Sequence, residues 1–160
     1  MMKLYFLRHG LAGDRQDWKG DDSARPLTKE GKARMAREAK TIARMELKLD
    51  LIITSPLVRA RQTAEIVAEE MRMLDKLVED DRVGIQFGID PLKKILQAHS
   101  KASALMLVGH EPSFSETISH LIGGGRIDCK KGSLACVNLS NVSSLRGELV
   151  WLLPPKTLAR

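Results

Sequence analysis

The stretch LYFLRHGLAG, residues 4–13, sets four apolar residues directly against Arg8 and His9. An apolar run without polar alternation reads as a strand buried on both faces, the pattern of a parallel sheet covered by helices. The run breaks off where charge begins, so Arg8, His9 and Gly10 stand at the strand's carboxyl end. In an open α/β sheet that is the end where ligands bind.

Two further short apolar runs, LIIT (51–54) and ALMLV (104–108), read as strands of the same kind. Helical spacing fills the intervals. Met35, Ala36, Ala39, Ile42, Ala43 and Leu47 recur along one face of a helix that Thr28 caps and that ends near residue 47. Its opposite face, with Lys32, Arg34, Arg37, Glu38, Lys40 and Arg44, reads as solvated surface. A second helix starts near Leu57 and continues through ARQTAEIVAEEMRM, and shorter ones are expected at 91–99 and 112–122. Gly123, Gly124 and Gly125 follow a helix rather than a strand and lack the spacing of a nucleotide loop, so they read as a helix stop. LACVNL (134–139) and ELVWLL (148–153) form a strand pair joined by a polar turn, and Pro154-Pro155 closes the chain's last element. Strands alternating with helices predict one α/β domain over residues 1–160, with a mainly parallel sheet and a late antiparallel part.

Composition narrows the function classes. The chain is 43% apolar and 29% charged, and no apolar run approaches the roughly 18–20 residues of a membrane span. Lys3 is followed only by Leu4–Leu7 before Arg8 arrives, too short for a signal peptide core, so a cytoplasmic protein is expected, with no membrane partner. Cys129 and Cys136 form no CxxC pair and no zinc-finger spacing, which argues against a metal or redox site. A net charge of +6 suits nucleic acid, an acidic partner or an anionic substrate. With one tyrosine and three phenylalanines available for stacking and no RNP or zinc-finger pattern, nucleic acid is the poorest fit.

The strand ends sort the polar residues. After LYFL come Arg8 and His9; after LIIT come Ser55, Pro56 and then Arg59; after ALMLV come Gly109, His110, Glu111 and Pro112. The other histidines, His99 and His120, fall late in predicted helices and read as surface or helix-end residues. Two guanidiniums beside histidines make a dense cationic pocket that needs an anion, and forked N–H donors match phosphate oxygens. Helix N-termini near Leu57 and Pro112 would add donors. A phosphate held there invites attack by an imidazole, and neighbouring arginines keep that imidazole unprotonated. A backbone carbonyl around Gly10 is the expected acceptor that would fix the tautomer of His9.

Arg8-His9-Gly10, the segment TSPLVRARQTA (54–64) and VGHEP (108–112) resemble the histidine phosphatase superfamily, and within it the small SixA-type phosphohistidine phosphatases. ARPLTKEG (24–31), KKGSLACVNL (130–139) and LVWLLPPK (149–156) extend the likeness nearly end to end. The resemblance implies a three-layer, phosphoglycerate mutase-like α/β fold in a minimal version without a large cap insert. It also implies that His9 takes the phosphoryl group and is dephosphorylated by water, that Arg8 and Arg59 clamp the oxygens, that His110 completes the pocket, and that Arg25 adds a phosphate contact. No cofactor or metal is implied.

Larger relatives carry an acidic proton donor. Here only VEDDRVGIQ (78–86) offers acids in the right part of the chain, with Asp81 the candidate and Asp80 and Glu79 behind it; a solvated acidic loop is the competing reading. An alcohol leaving group needs a proton, whereas the imidazole of a phosphohistidine can depart as a neutral ring. The expected partner is therefore a phosphorylated protein such as a histidine phosphotransfer domain, acted on by a monomer. The alternatives are a small phosphorylated metabolite or phospho-Ser/Thr protein, and a phosphate-binding protein without turnover.

Overall fold

The computed structural model describes residues 1–160. Six strands, β1 (Met2–Arg8), β2 (Leu51–Thr54), β3 (Leu77–Glu79), β4 (Ala104–Gly109), β5 (Leu134–Asn141) and β6 (Arg146–Leu153), form one sheet in the order β3-β2-β4-β1-β5-β6. β3, β2, β4 and β1 run parallel; β5 is antiparallel to β1, and β6 to β5. The chain thus has the mainly parallel sheet with a late antiparallel pair that its apolar runs predict.

Five helices cover the sheet: α1 (Lys29–Arg44), α2 (Val58–Glu70), α3 (Ile89–Ala98), α4 (Ser113–Leu121) and α5 (Pro155–Leu158). The two-residue period of β1 divides its side chains between two cores. Leu4 and Phe6 join Leu105, Leu107, and the inner faces of α3 and α4 through Leu92, Ile95, Phe114 and Ile118. Tyr5 and Leu7 join Met106, Val108, and α1 and α2 through Met35, Ile42, Ala64 and Val67. Both faces of the central strands are therefore dry, which is why β1 from Leu4, β2 and β4 carry no charged residue before their carboxyl ends. No helix is long and apolar enough to cross a membrane.

Local chemistry sets the start of α1 as expected. The Thr28 hydroxyl accepts from Gly31 N at 2.9 Å, and Thr28 N donates to the Leu11 carbonyl at 3.0 Å. A Cβ at Gly31 would collide with that same carbonyl oxygen, so glycine lets the helix start press against the loop leaving β1. Further along the chain, α4 stops where Gly123 adopts φ +91°, the left-handed conformation of a helix terminus.

Glu38, read as part of the solvated face of α1, is buried, and two elements differ from the sequence expectation. β3 is a three-residue strand at the sheet edge, too short and too polar for an apolar pattern. α5 begins at Pro155, where the fixed φ of proline suits the first helical turn, so Pro154-Pro155 opens a helix rather than ending the structure.

Candidate active site

Strand register brings three chain segments to one level. Leu7 pairs with Val108 and Arg8 with Gly109, while Thr54 pairs with Val108 from the other side of β4. The ladder continues one step past the strands: His9 N donates to Gly109 O at 3.0 Å and Ser55 N to Val108 O at 2.9 Å. Arg8-His9, Ser55 and His110 consequently emerge side by side. A cavity of about 690 Å³ opens there, lined by Arg8, His9, Asp22, Arg25, Arg59 and His110, with Ile85 and Glu111 also at its wall.

His9 is nearly buried and held by its backbone. Its Nδ1–H donates to the Gly10 carbonyl at 2.8 Å; a carbonyl can only accept, so the proton sits on Nδ1 and Nε2 keeps its lone pair. Gly10 N donates to Thr63 Oγ1 at 3.0 Å, and that hydroxyl donates to Arg59 O at 2.8 Å, tying the His9 loop to the first turns of α2. Burial, opposed by the Gly10 bond and reinforced by His110, Arg59 and Arg8, pushes the His9 imidazolium down to about 3. The His110 ring lies 5.4 Å from that of His9, centroid to centroid. Its Nε2 is hydrogen-bonded to Ser55 Oγ at 2.7 Å, and its buried Nδ1 has no partner. Burial, then the charge of Arg59, lowers His110 to about 4, with Asp22 opposing. Both imidazoles are neutral near pH 7.

Three guanidiniums complete the wall, each anchored on one side. Arg8 Nη1 donates to Cys129 O at 2.9 Å, leaving its buried Nε without a partner. Arg59 Nη1 and Nη2 donate to the backbone oxygen and Oδ2 of Asp22 at 2.8 and 3.0 Å, and its Nε is again buried and unpartnered. Arg25 donates from Nε to Asp22 Oδ1 at 3.0 Å and from Nη1 to Gly13 O. Unsatisfied buried donors are costly, and an oxyanion would relieve them. Burial raises the Asp22 carboxyl, but the bond from Arg25 and the charges of Arg59 and Arg25 outweigh it and hold the group below its ordinary value.

Asp22 stands in no sequence motif, and Asp21-Asp22 reads as solvated acid; its place three residues before Arg25, at the head of a 3-10 turn, is the only signal. Thr63 and Glu111 fall inside the segments TSPLVRARQTA and VGHEP, but nothing in those segments assigns them a role of their own. Asp81 is exposed and does not line the cavity. Asp80 accepts from N, Nε and Nη2 of Arg82, so it too is occupied. Within the cavity, Glu111 accepts from Ser115 N at 2.8 Å and from Ser115 Oγ, fixing the first turn of α4, and Asp14 accepts from Gln16 N. Every carboxylate lining the cavity thus has a structural partner. No three His, Cys, Asp or Glu side chains gather as a metal-binding cluster, and both cysteines are buried and free.

The sequence profile of the histidine phosphatase superfamily (branch 1) matches residues 4–89, more than half of the chain. The chain belongs to this superfamily. An uncharacterized protein of Picosynechococcus sp. is 51% identical over 67 residues, covering 42% of this chain and 40% of that one. The 8-oxo-(d)GTP phosphatase of Mycolicibacterium smegmatis is 39% identical over 75 residues, 47% of this chain and 22% of that one. The matches therefore span less than half the length of either curated relative. The structure of the protein histidine phosphatase SixA complexed with tungstate superposes with a TM-score of 0.85 at 22% identity, covering 98% of this chain and 99% of that chain. The fold is the small phosphoglycerate mutase-like fold of SixA, without a large insert.

Proposed function

We propose that this chain is a metal-independent phosphatase that takes the phosphoryl group of a phosphohistidine on a phosphotransfer protein onto His9 Nε2 and then yields it to water. The observation that carries this reading is the pinned tautomer of His9 inside a wall of Arg8, Arg25 and Arg59. The Nε2 lone pair attacks phosphorus as the substrate's P–N bond breaks; the departing imidazole leaves neutral because its other nitrogen keeps a proton. Water then attacks the same phosphorus, the P–Nε2 bond breaks, and His9 departs as a neutral ring because Nδ1 has held its proton on Gly10 throughout. The water's proton passes to phosphate or solvent. Neither half-reaction needs a carboxylic acid, in keeping with the occupied carboxylates of the cavity.

In both steps charge spreads over the phosphoryl oxygens, where preorganised guanidinium donors act most strongly. The unpartnered Nε of Arg8 and Arg59 and Nδ1 of His110 are the groups available for that task. Arg25 and Asp22 position Arg59 as well as adding to the wall.

The alternative substrate is a phosphate ester. It is favoured by the presence of Glu111 in the cavity, which on release from Ser115 could protonate an alcohol, and by the likeness to an 8-oxo-(d)GTP phosphatase. The test compares hydrolysis of a phosphohistidine-bearing protein with that of p-nitrophenyl phosphate, each by wild type and His9→Ala. Rapid loss from the protein that depends on His9, with slow ester cleavage, is expected. The reverse ranking would move the substrate to esters, and activity surviving His9→Ala would remove the nucleophile.

A further inference from the structure

A second cavity, of about 590 Å³, adjoins the first and shares Arg8, Leu11 and Lys131 with it. It continues past Arg34 of α1, Lys130 and Lys131 of the loop before β5, and Lys156 of α5. Five cations line this groove and no acidic residue does. The groove is fastened to the site beside it: Gly132 N donates to both Arg8 O and His9 O at 3.1 Å, so the lysine loop is held against the loop of the nucleophile.

Local counter-charge is scarce. Lys130 meets only Asp128, at 3.9 Å and in the open, where pairing is weak. Arg34 Nε lies 3.8 Å from Glu38 Oε1, but that carboxyl is buried, its Oε2 has no partner, and burial pushes it up to about 8. Burial thus weakens the negative charge of Glu38 against the opposing pull of Arg34 and Arg37, and Arg34 makes no hydrogen bond to it. Lys131 and Lys156 pair with no acid. Like charges gathered on one shelf repel until an anion arrives.

The arrangement also selects the kind of anion. The lysine side chains are exposed and come from two segments, the loop before β5 and α5, no aromatic ring is present to stack a base, and only Arg8 offers a buried donor. Mobile cations spread along an open groove match several carboxylates carried on a surface better than one compact phosphate chain.

We propose that this groove docks an acidic face of the phosphorylated protein and so steers its phosphohistidine into the adjoining pocket, an inference that rests on the phosphohistidine reading above. Arg34, Lys130 and Lys156 lie outside the phosphoryl pocket, so docking and chemistry are separable.

The test uses two synthetic phosphohistidine peptides, one with four glutamates around the phosphorylated residue and one with four glutamines, and p-nitrophenyl phosphate as a small control. Wild type is expected to cleave the glutamate peptide with a kcat/KM roughly 10-fold higher at low salt, the scale of electrostatic steering, and to lose that preference near 1 M salt as screening shortens to about 3 Å. In Lys130→Glu/Lys156→Glu the preference should vanish while p-nitrophenyl phosphate turnover, which also reports an intact fold, stays at the wild-type rate. Equal cleavage of the two peptides by wild type, or a preference that survives in the double variant, would overturn the docking surface and leave the phosphohistidine reading standing. Cleavage of p-nitrophenyl phosphate with neither peptide turned over would overturn both. Inhibition of p-nitrophenyl phosphate hydrolysis by tripolyphosphate in wild type but not in the variant, without any peptide preference, would reassign the groove to a small polyanion.

Discussion

Lowering the pH from 7 to 5 discriminates between His9 as placed here and an ordinary histidine. An imidazole of pKa 6.5 is about three-quarters neutral at pH 7 and about 3% neutral at pH 5, so a nucleophile of that kind would lose roughly 25-fold in rate. Burial, with the neighbouring His110, Arg59 and Arg8, holds His9 at about 3, a displacement worth roughly 5 kcal/mol, and at pH 5 its lone pair is still about 99% available. The assay is kcat/KM for p-nitrophenyl phosphate across pH 4–8, corrected for ionisation of the substrate; kcat/KM reports the free enzyme. A change of less than about 2-fold between pH 7 and 5 is expected. An acid limb centred near 6.5 would refute the reasoning, because it would mean that the site does not keep its nucleophile unprotonated. The same displacement has a stability consequence of definite sign. Below pH 6.5 the unfolded chain binds a proton at this position that the folded chain does not, so stability falls as pH drops from 6.5 toward 3. By pH 5 the loss from His9 is roughly 2 kcal/mol, and His9→Gln should flatten the urea-midpoint profile over that window.

Three substitutions test other parts of the site. Arg59→Ala should lower kcat/KM by about 100- to 1000-fold, the range for removing one preorganised donor; a variant that loses thermal stability but keeps its rate would defeat the clamp. Gly31→Ala forces a methyl into the Leu11 carbonyl and should cost about 2–3 kcal/mol in urea unfolding, with activity falling as the loop after His9 is displaced; a loss under about 0.5 kcal/mol, the scale of a neutral surface change, would show that the contact is easily relieved. Asp81→Asn should leave both phosphohistidine and ester rates within about 2-fold, the effect of an exposed residue away from the chemistry, whereas an ester rate that collapses in Asp81→Asn and not in Glu111→Gln would restore Asp81 as the acid.

Much of this architecture is legible where burial is strongest. β2 begins and ends at the residues the apolar run LIIT marks, because a strand covered on both faces has no reason to admit a polar residue before its end. α1 starts after Thr28 because the cap is a local bond within four residues. β3 escapes such reading: its Leu77-Val78-Glu79 is an edge strand whose placement comes from pairing with Ile52–Thr54, not from its own composition. The cavity obeys the same division. Arg8, His9 and His110 stand at or just beyond the carboxyl ends of buried strands and Arg59 in the first turn of the helix after one, so they can be found there, and Arg25 belongs to a recognisable motif. Asp22 is invisible to both routes, since its partner Arg59 lies 37 residues away and only the fold brings them together. Asp81 shows the converse: its position along the chain points to the cavity, yet the turn at Asp81–Val83 directs a different residue, Val83, into the core.

The continuation of the β-ladder beyond Arg8 and Thr54 has a consequence for how such a protein can change. His9, Ser55 and His110 take their positions from main-chain bonds to β4 and from β4 itself, whereas Ile85, Trp18 and the segment from Asp14 to Gly20 belong to connections that carry no strand pairing. Insertions or exchanges in those connections would remodel the rim of the cavity without disturbing the spacing of the reacting groups at its floor. Substrate preference and phosphoryl chemistry can then be varied independently, which makes the 14–20 and 84–88 segments the places to graft new specificity onto an unchanged reaction centre.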